Sequence, residues 1–502
     1  MTTVMKKKPN ILFIMTDQES VSLSACYGNK VIRTPSRDSI AENGVRFDNH
    51  YIASFPCSPS RATMITGLYA HNHKIVNNGI VLDPNMETLG SQLSKAGYET
   101  TWIGKSHLGG WFEPHDEETC PYHELLLTDI GYSVKKHPGG AGGEDYALNG
   151  FKNWVSGWTD YRNYLQTTDL PDNIKNDRWV GGHQVMETGP DSEHAYSRLT
   201  AEHHMENYMA SQAVDNINQS SDDPFCMVLS FYGPHHPVAP PKPYDEMYEI
   251  EDMELPKSYH SAQDKKNLPG EENRISGKWT DLQAKGYLRR YFGYVTYIDD
   301  QITRVFDALK ANGKYENTII VFSSDHGDML CEQGLIYKHV SNGYDTLMKV
   351  PMLIQWIDGI PKGNIHSGLS SHVDIVPTIL ELAGVECTAD IDGNSIAASL
   401  VDNTNHSRNK IFIDVFDQGF VTRQGNWKFV LNASIKEGEM NRKIDELYDL
   451  KNDPNEIDNL ALEINQTKRV ETMKESIFAW LEETNHPYVK LIKEAAQLTQ
   501  PI

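Results

Sequence analysis

Six cysteines occur in this 502-residue chain (Cys26, Cys57, Cys120, Cys226, Cys331 and Cys387), and no two are spaced as a Cys-x-x-Cys pair. That removes the usual zinc-binding spacing and gives no sign of a disulfide framework. Long apolar runs are lacking too, and no stretch is long or apolar enough to span a bilayer. The closest approach to a secretion signal is Lys6-Lys7-Lys8 followed by the apolar run Ile11 to Met15. It is too short, has no small-residue cleavage site and runs into Asp17. The expectation is a buried first strand in a cytoplasmic protein, in which sequons such as Asn218-Gln219-Ser220 carry no meaning. Positive charge is also scarce: 46 basic against 69 acidic residues leave a net charge of −23. That argues against nucleic acid or an anionic membrane as partner, although a few convergent cations can still dominate one pocket. Internal repeats and low-complexity tracts are absent.

What is there is globular. With 39% hydrophobic and 23% charged residues the chain is far from a disordered composition. Strand-like apolar runs alternate with helical segments, the pattern of a large, mostly parallel sheet sandwiched by helices. Strands are predicted at Asn10 to Thr16, Tyr98 to Ile103, Phe225 to Phe231, Thr318 to Phe322 and Val350 to Trp356. Helices are predicted from Pro35 to Gly44, Glu87 to Ala96, Leu288 to Lys310 and Asp374 to Ala383. Residues 1–384 read as this α/β domain, interrupted between about 111 and 200 by an irregular insertion rich in Gly, Pro and His. Its tryptophans Trp111, Trp154, Trp158 and Trp179 suit an ordered surface, either covering a site or a packed decoration. Residues 385–502 read as a smaller α+β subdomain, with short antiparallel strands between Ile411 and Leu450 and a final amphipathic helix from Lys468 to Glu482.

Chemistry-bearing residues recur at one place, the C-terminal ends of predicted strands, where open α/β sheets put their sites. Asp17 and Gln18 end the first strand, Lys105 and His107 follow Ile103, His235 and His236 follow Phe231, and Asp325 and His326 follow Phe322. Singly, each has a structural explanation as a cap, a solvated cation or a hydrogen-bonded turn residue. Their shared location is what points to a site. Asp17, Gln18, Asp325 and His326 make an oxygen-rich set with one imidazole, suited to a hard divalent cation such as Ca²⁺ or, as the alternative, Mn²⁺. Arg61, Lys105, His107, His235 and Lys338 make a cationic set suited to a tetrahedral anion. Cys57-Ser58-Pro59-Ser60-Arg61 opens a helix. Pro59 suits a first turn, Cys57 sits where the helix dipole favours negative charge, and Arg61 shares its face. By itself this pentapeptide favours the plainer reading, a buried cysteine at a helix start.

The Cys-x-Pro-x-Arg run, followed by Ala62-Thr63-Met64-Ile65-Thr66-Gly67, resembles the signature of type I sulfatases of the alkaline phosphatase superfamily. Glu446-Leu447-Tyr448-Asp449-Leu450, followed by Asp453-Pro454, Glu456 and Asn459-Leu460, resembles their C-terminal subdomain. The resemblance implies an alkaline phosphatase-like fold and hydrolysis of a sulfate monoester on a small molecule or carbohydrate. It implies that a maturation enzyme oxidises Cys57 to formylglycine, whose hydrate attacks sulfur. By the same resemblance Asp17, Gln18, Asp325, His326 and the matured residue 57 hold the metal, and Arg61 holds the nucleophile. Lys105 and Lys338 grip sulfate oxygens, His235 and Lys338 assist the leaving alcohol, and His107 takes the last hydroxyl proton. Asn78 and His236 are placed at the substrate, with His73 as a further candidate, beside the loop Val238 to Tyr244.

Three residues depart from the common pattern. Gln18 stands where many sulfatases have Asp, Leu68 replaces a basic residue, and His326 replaces Asn, as in choline sulfatases and phosphonate monoester hydrolases. A phosphonate monoester or phosphodiester hydrolase is therefore the rival activity, and a non-catalytic binder of sulfated ligands the rival class. Those hydrolase relatives tend to carry uncharged hydroxyl residues where this chain has Lys105 and His107, which favours sulfate. A dead site predicts the loss of Cys57, His107 or a metal ligand, and all are present.

Overall fold

The computed structural model describes residues 7–108, 150–156, 159–175, 197–261, 275–338, 343–404, 408–415, 419–436 and 439–498. In chain order the strands are β1 (Asn10–Thr16), β2 (Val45–Tyr51), β3 (Ser54–Phe55), β4 (Glu99–Gly104), β5 (Asn153–Ser156), β6 (Phe225–Ser230), β7 (Thr318–Ser324) and β8 (Met352–Gln355). There follow β9 (Asn364–Ser371), β10 (Lys410–Val415), β11 (Gly419–Gln424), β12 (Trp427–Leu431), β13 (Ala433–Lys436), β14 (Glu439–Arg442) and β15 (Glu446–Asp449). The main sheet has the order β5-β4-β6-β1-β7-β8-β2-β9. It is parallel throughout except at β8, which runs against both β7 and β2.

Burial on both faces explains the near-continuous apolar strands. In β1, Ile11, Phe13 and Met15 enter one core, while Leu12 and Ile14 enter the other. The 31-residue helix Asp281–Ala311 and the helix Met205–Gln219 cover the second face. The helices Cys57–Thr66 and Ile375–Leu382 cover the first. The long helix begins seven residues before the expected Leu288, because Thr280 and Gln283 form a reciprocal capping box. Likewise the expected Glu87 helix starts at Leu89, capped by Thr88. The predicted strand Val350 to Trp356 keeps only Met352–Gln355.

A five-stranded sheet, β15-β12-β11-β10-β3, forms the C-terminal layer. It is antiparallel except where β10 meets β3, two residues contributed by the segment just before Cys57. The helix Thr467–Glu483 packs Val470, Met473, Ile477 and Leu481 against this sheet, and it is not the last as expected, because the helix Val489–Ala496 follows and adds Ile492 and Ala495 to the same core. Of the insertion, only β5 and the helices Thr159–Gln166 and Asp172–Lys175 fall among the described elements before residue 197. Trp111, Trp158 and Trp179 lie outside the described residues. Among the described residues no helix is long and apolar enough to cross a membrane.

Candidate active site

The site is assembled at the C-terminal ends of the three central strands and β4. Asp17 follows β1, Asp325 and His326 follow β7, His235 and His236 follow β6, and Lys105 and His107 follow β4. Two glycines let the chain close up here. Gly104 has a φ of +96°, and a Cβ on it would sit 2.0 Å from the Ser230 carbonyl oxygen, so β4 and β6 can meet only at glycine. Gly233, in the turn after β6, accepts the Asp17 N–H on its carbonyl (3.1 Å).

Arg61 is the hub. It is fully buried one turn into the Cys57–Thr66 helix. Its Nε donates to Asp325 Oδ2 (2.7 Å), Nη2 to Asp17 Oδ2 (2.9 Å), and Nη1 to Ser230 Oγ (2.8 Å) and the Lys105 carbonyl (3.0 Å). Lys105 Nζ also donates to Asp17 Oδ2 (2.5 Å). The guanidinium fork suits such planar bridging between carboxylates. Cys57 is the first residue of this helix. Its Sγ lies 2.6 Å from Lys338 Nζ and 3.1 Å from His326 Nε2, and His107 reaches it as well. Lys338 Nζ lies 2.7 Å from His235 Nε2.

Two histidine tautomers follow from their partners. His326 Nδ1 faces the Gly327 carbonyl (2.9 Å) and His235 Nδ1 the His236 carbonyl (2.6 Å), so each carries its proton there. The Nε2 lone pairs are left pointing inward, His326 toward Cys57 and His235 toward Lys338.

Other expected residues occupy less direct positions. Asn78 Oδ1 accepts the Ser58 N–H (2.9 Å) and thereby caps the helix that carries Cys57. His73 sits against Thr63 Oγ1 (3.1 Å), fully buried. His236 stacks on His235 and lies at a tilt against Tyr337, with its Nδ1 3.0 Å from Gln18 Oε1. Gln18 itself sits at a φ of 63° and donates from Nε2 to Asp328 Oδ2 (2.6 Å). Asp328, Ser230 and Ser60 were not singled out in the sequence. Asp328 directly extends the Asp325-His326-Gly327 run, which was its available signal.

The sulfatase family profile matches residues 9–385 of this chain, three quarters of its length and the whole of the segment bearing these residues. The chain belongs to the sulfatase family. A profile described as N-sulphoglucosamine sulphohydrolase, C-terminal, matches residues 332–483 of the same sulfatase. Among curated relatives, the uncharacterized sulfatase YidJ of Escherichia coli is 30% identical over 96% of this chain and 89% of its own. An arylsulfatase of Clostridium perfringens is 28% identical, over 97% of this chain and 98% of its own. The solved phosphonate monoester hydrolase of Agrobacterium radiobacter shares the fold with a TM-score of 0.74 at 21% identity, covering 95% of this chain and 96% of that one. The sulfatase is thus a sulfuric ester hydrolase on the alkaline phosphatase-like framework.

The charge pattern of the sulfatase site has definite consequences. Burial opposes ionisation of the Cys57 thiol, but the cationic groups around it, the Lys338 ammonium first, outweigh it and hold the thiol well below its ordinary range. Burial, then the ammonium of Lys338, keep His235 neutral, and burial does the same for His107. Ligand atoms of Asp17, Cys57, Asp325 and His326 all lie within 4.8 Å of one another. Asp17 Oδ1 is buried with no hydrogen-bond partner, and the His326 tautomer leaves Nε2 able to coordinate. These residues fit a divalent cation.

Proposed function

We propose that this sulfatase cleaves a sulfate monoester with a formylglycine hydrate derived from Cys57, and that a divalent cation, Ca²⁺ before Mn²⁺, is bound beside it. The observation that carries the reading is the encoded cysteine at a buried helix N-terminus, 2.6 Å from Lys338 and 3.1 Å from His326, inside a ring of carboxylates and cations. In the structure Sγ stands where a hydroxyl of the hydrate would be. Asp17, Gln18, Asp325, His326 and residue 57 would hold the cation, which supplies Lewis-acid polarisation of a sulfate oxygen and favours the ionised nucleophile.

The chain's own residues account for the rest. Arg61, Lys105 and Lys338 provide three positive charges against the two of Asp17 and Asp325, so the pocket favours an anion. Lys105 and Lys338 meet the non-bridging oxygens, where charge collects in the transition state. As the oxygen of residue 57 bonds to sulfur, the ester S–O bond breaks. The leaving oxygen takes a proton from Lys338, which His235 Nε2 orients at 2.7 Å. Neutral His107 then removes the proton of the second hydroxyl. The C–O bond to sulfate breaks, sulfate departs, and water rehydrates the aldehyde.

The test is mass spectrometry of the tryptic peptide Phe47–Arg61 from the native host, followed by a panel of sulfate and phosphonate esters. Formylglycine at position 57 with turnover of sulfates supports the reading. Unchanged cysteine in a host with active maturation machinery overturns the mechanism. Faster turnover of phosphonate monoesters than of sulfates would select the rival activity, which the likeness of fold and His326 make the natural competitor.

A further inference from the structure

The motif from Glu446 to Leu460 takes no part in this chemistry, yet it reaches the stretch of chain that carries Lys338. Lys338 lies between the end of β7 and the helix Asp345–Met348. On the near side, Asp328 Oδ1 accepts the N–H groups of Leu330 (2.8 Å) and Tyr337 (3.2 Å). Gln333 Nε2 donates to the main-chain carbonyls of Asn455 and Glu456, the latter at 3.2 Å. On the far side, Lys428 Nζ of β12 donates to the Gly343 carbonyl (2.6 Å) and lies 3.5 Å from Asp345 Oδ1. The same ammonium pairs with Glu456 Oε1, and Glu456 Oε2 accepts the Asp345 N–H (2.6 Å). Gly343 is pressed so close to the sheet that a Cβ would sit 2.8 Å from Val421 Cγ2.

This ion pair is expensive to keep. The Lys428 and Glu456 side chains are only 1% and 4% exposed, and a buried pair of charges seldom stabilises a fold better than apolar side chains would. Glu456 is also held at a φ of 54°, a left-handed conformation that is costly away from glycine. What the arrangement provides is geometry. Gln333 thus ties the chain before Lys338 to the C-terminal layer, and the Lys428 and Glu456 side chains tie it again at Gly343 and Asp345, while the flexible stem of Lys338 must still deliver an ammonium to within 2.6 Å of residue 57 and 2.7 Å of His235. A misplacement of about 1 Å at reacting groups can cost about 10²-fold in rate.

We propose that the Lys428–Glu456 pair of the C-terminal sheet is a positioning device for Lys338, fixing the backbone from which that lysine reaches the leaving oxygen. The inference rests on the leaving-group role given to Lys338 above. It makes the C-terminal layer part of the catalytic apparatus without touching substrate.

The experiment is a double-mutant cycle on the matured, metal-loaded enzyme. Lys428→Met and Glu456→Gln are each made in the wild type and in Lys338→Ala, and assayed on aryl sulfates of graded leaving-group acidity. Each single variant should lower kcat/KM by about tenfold or more on the poorest leaving groups and much less on the best, with no further loss in the Lys338→Ala background. Equal losses across the panel, losses that multiply with that of Lys338→Ala, or unchanged rates would overturn the proposal. Where Lys428→Met does not fold, the near-isosteric Glu456→Gln carries the cycle alone. If the wild type turns over aryl phosphonates and not sulfates, the sulfate reading falls at that step. The same cycle on phosphonates then tests the positioning role separately.

Discussion

Replacing Glu206 by Gln should change how stability depends on pH, by an amount the structure fixes. Glu206 is buried near the start of the Met205–Gln219 helix. Its Oε1 accepts the Gly233 N–H (2.7 Å) and the Tyr294 hydroxyl (2.9 Å), which steadies the turn leading to His235, while Oε2 is buried without a partner. Burial pushes its pKa up to about 7 from 4.5, against the opposing hydrogen bonds from Tyr294 and the Gly233 and Tyr232 main chain, with Asp17 adding repulsion. Tyr161 and Tyr297 also face it, and both stay neutral because burial raises them well above their usual range. The native state therefore binds this proton more tightly than the unfolded state. The contribution is fully present below pH 4.5 and is lost as pH rises through 7. Integrated between pH 5 and pH 8, the loss is about 2.5 kcal/mol. Glutamine keeps the acceptor and cannot ionise. The stability advantage of Glu206→Gln over the wild type should grow by about 2.5 kcal/mol between pH 5 and pH 8, read from urea unfolding midpoints. The same difference between the two proteins at both pH values would refute a buried, proton-holding Glu206.

Further expectations concern the site itself. Lys105→Ala removes a cation from the anion pocket and should lower kcat by about 10²- to 10³-fold, with KM changing far less. A comparable KM rise at constant kcat would show that Lys105 only binds substrate. Dialysis against a chelator should abolish turnover and lower the Tm, and Ca²⁺ should restore both; full activity in chelator would end the metal assignment.

Much of the site was legible because its residues sit beside strong local signals. β1, β6 and β7 are apolar runs followed closely by Asp17-Gln18, Pro234-His235 and Asp325-His326. A sheet buried on both faces makes such runs stand out, and a parallel sheet gathers their C-terminal ends on one side. β2 and β9 escaped notice for the opposite reason. Val45-Arg46-Phe47-Asp48-Asn49-His50-Tyr51 is half polar because β2 and β9 close one end of the sheet and are partly exposed there. The early start of the long helix was missed although Thr280 and Gln283 spelled its cap.

Other features were settled only by packing. Composition placed Gln18 among oxygen ligands, but its amide orientation is decided by Asp328 and His236, which come from two other strand ends. Asn78 was expected at the substrate, and only the tertiary structure shows that its Oδ1 also accepts the Ser58 N–H. The two-residue strand β3 has no pattern of its own and exists because β10 passes beside it, tying the C-terminal sheet to the chain just ahead of Cys57.

Local sequence by itself determined most of the elements, Cys57 at its helix start and the inventory of charges, because periodicity, capping and breakers act over a few residues. Only the tertiary structure decided that Arg61 would bridge Asp17 and Asp325, that His326 would aim Nε2 at Cys57, and that Lys428 would hold the chain near Lys338. Those are pairings between residues tens to hundreds of positions apart, and their worth depends on burial and angle, which no stretch of sequence records.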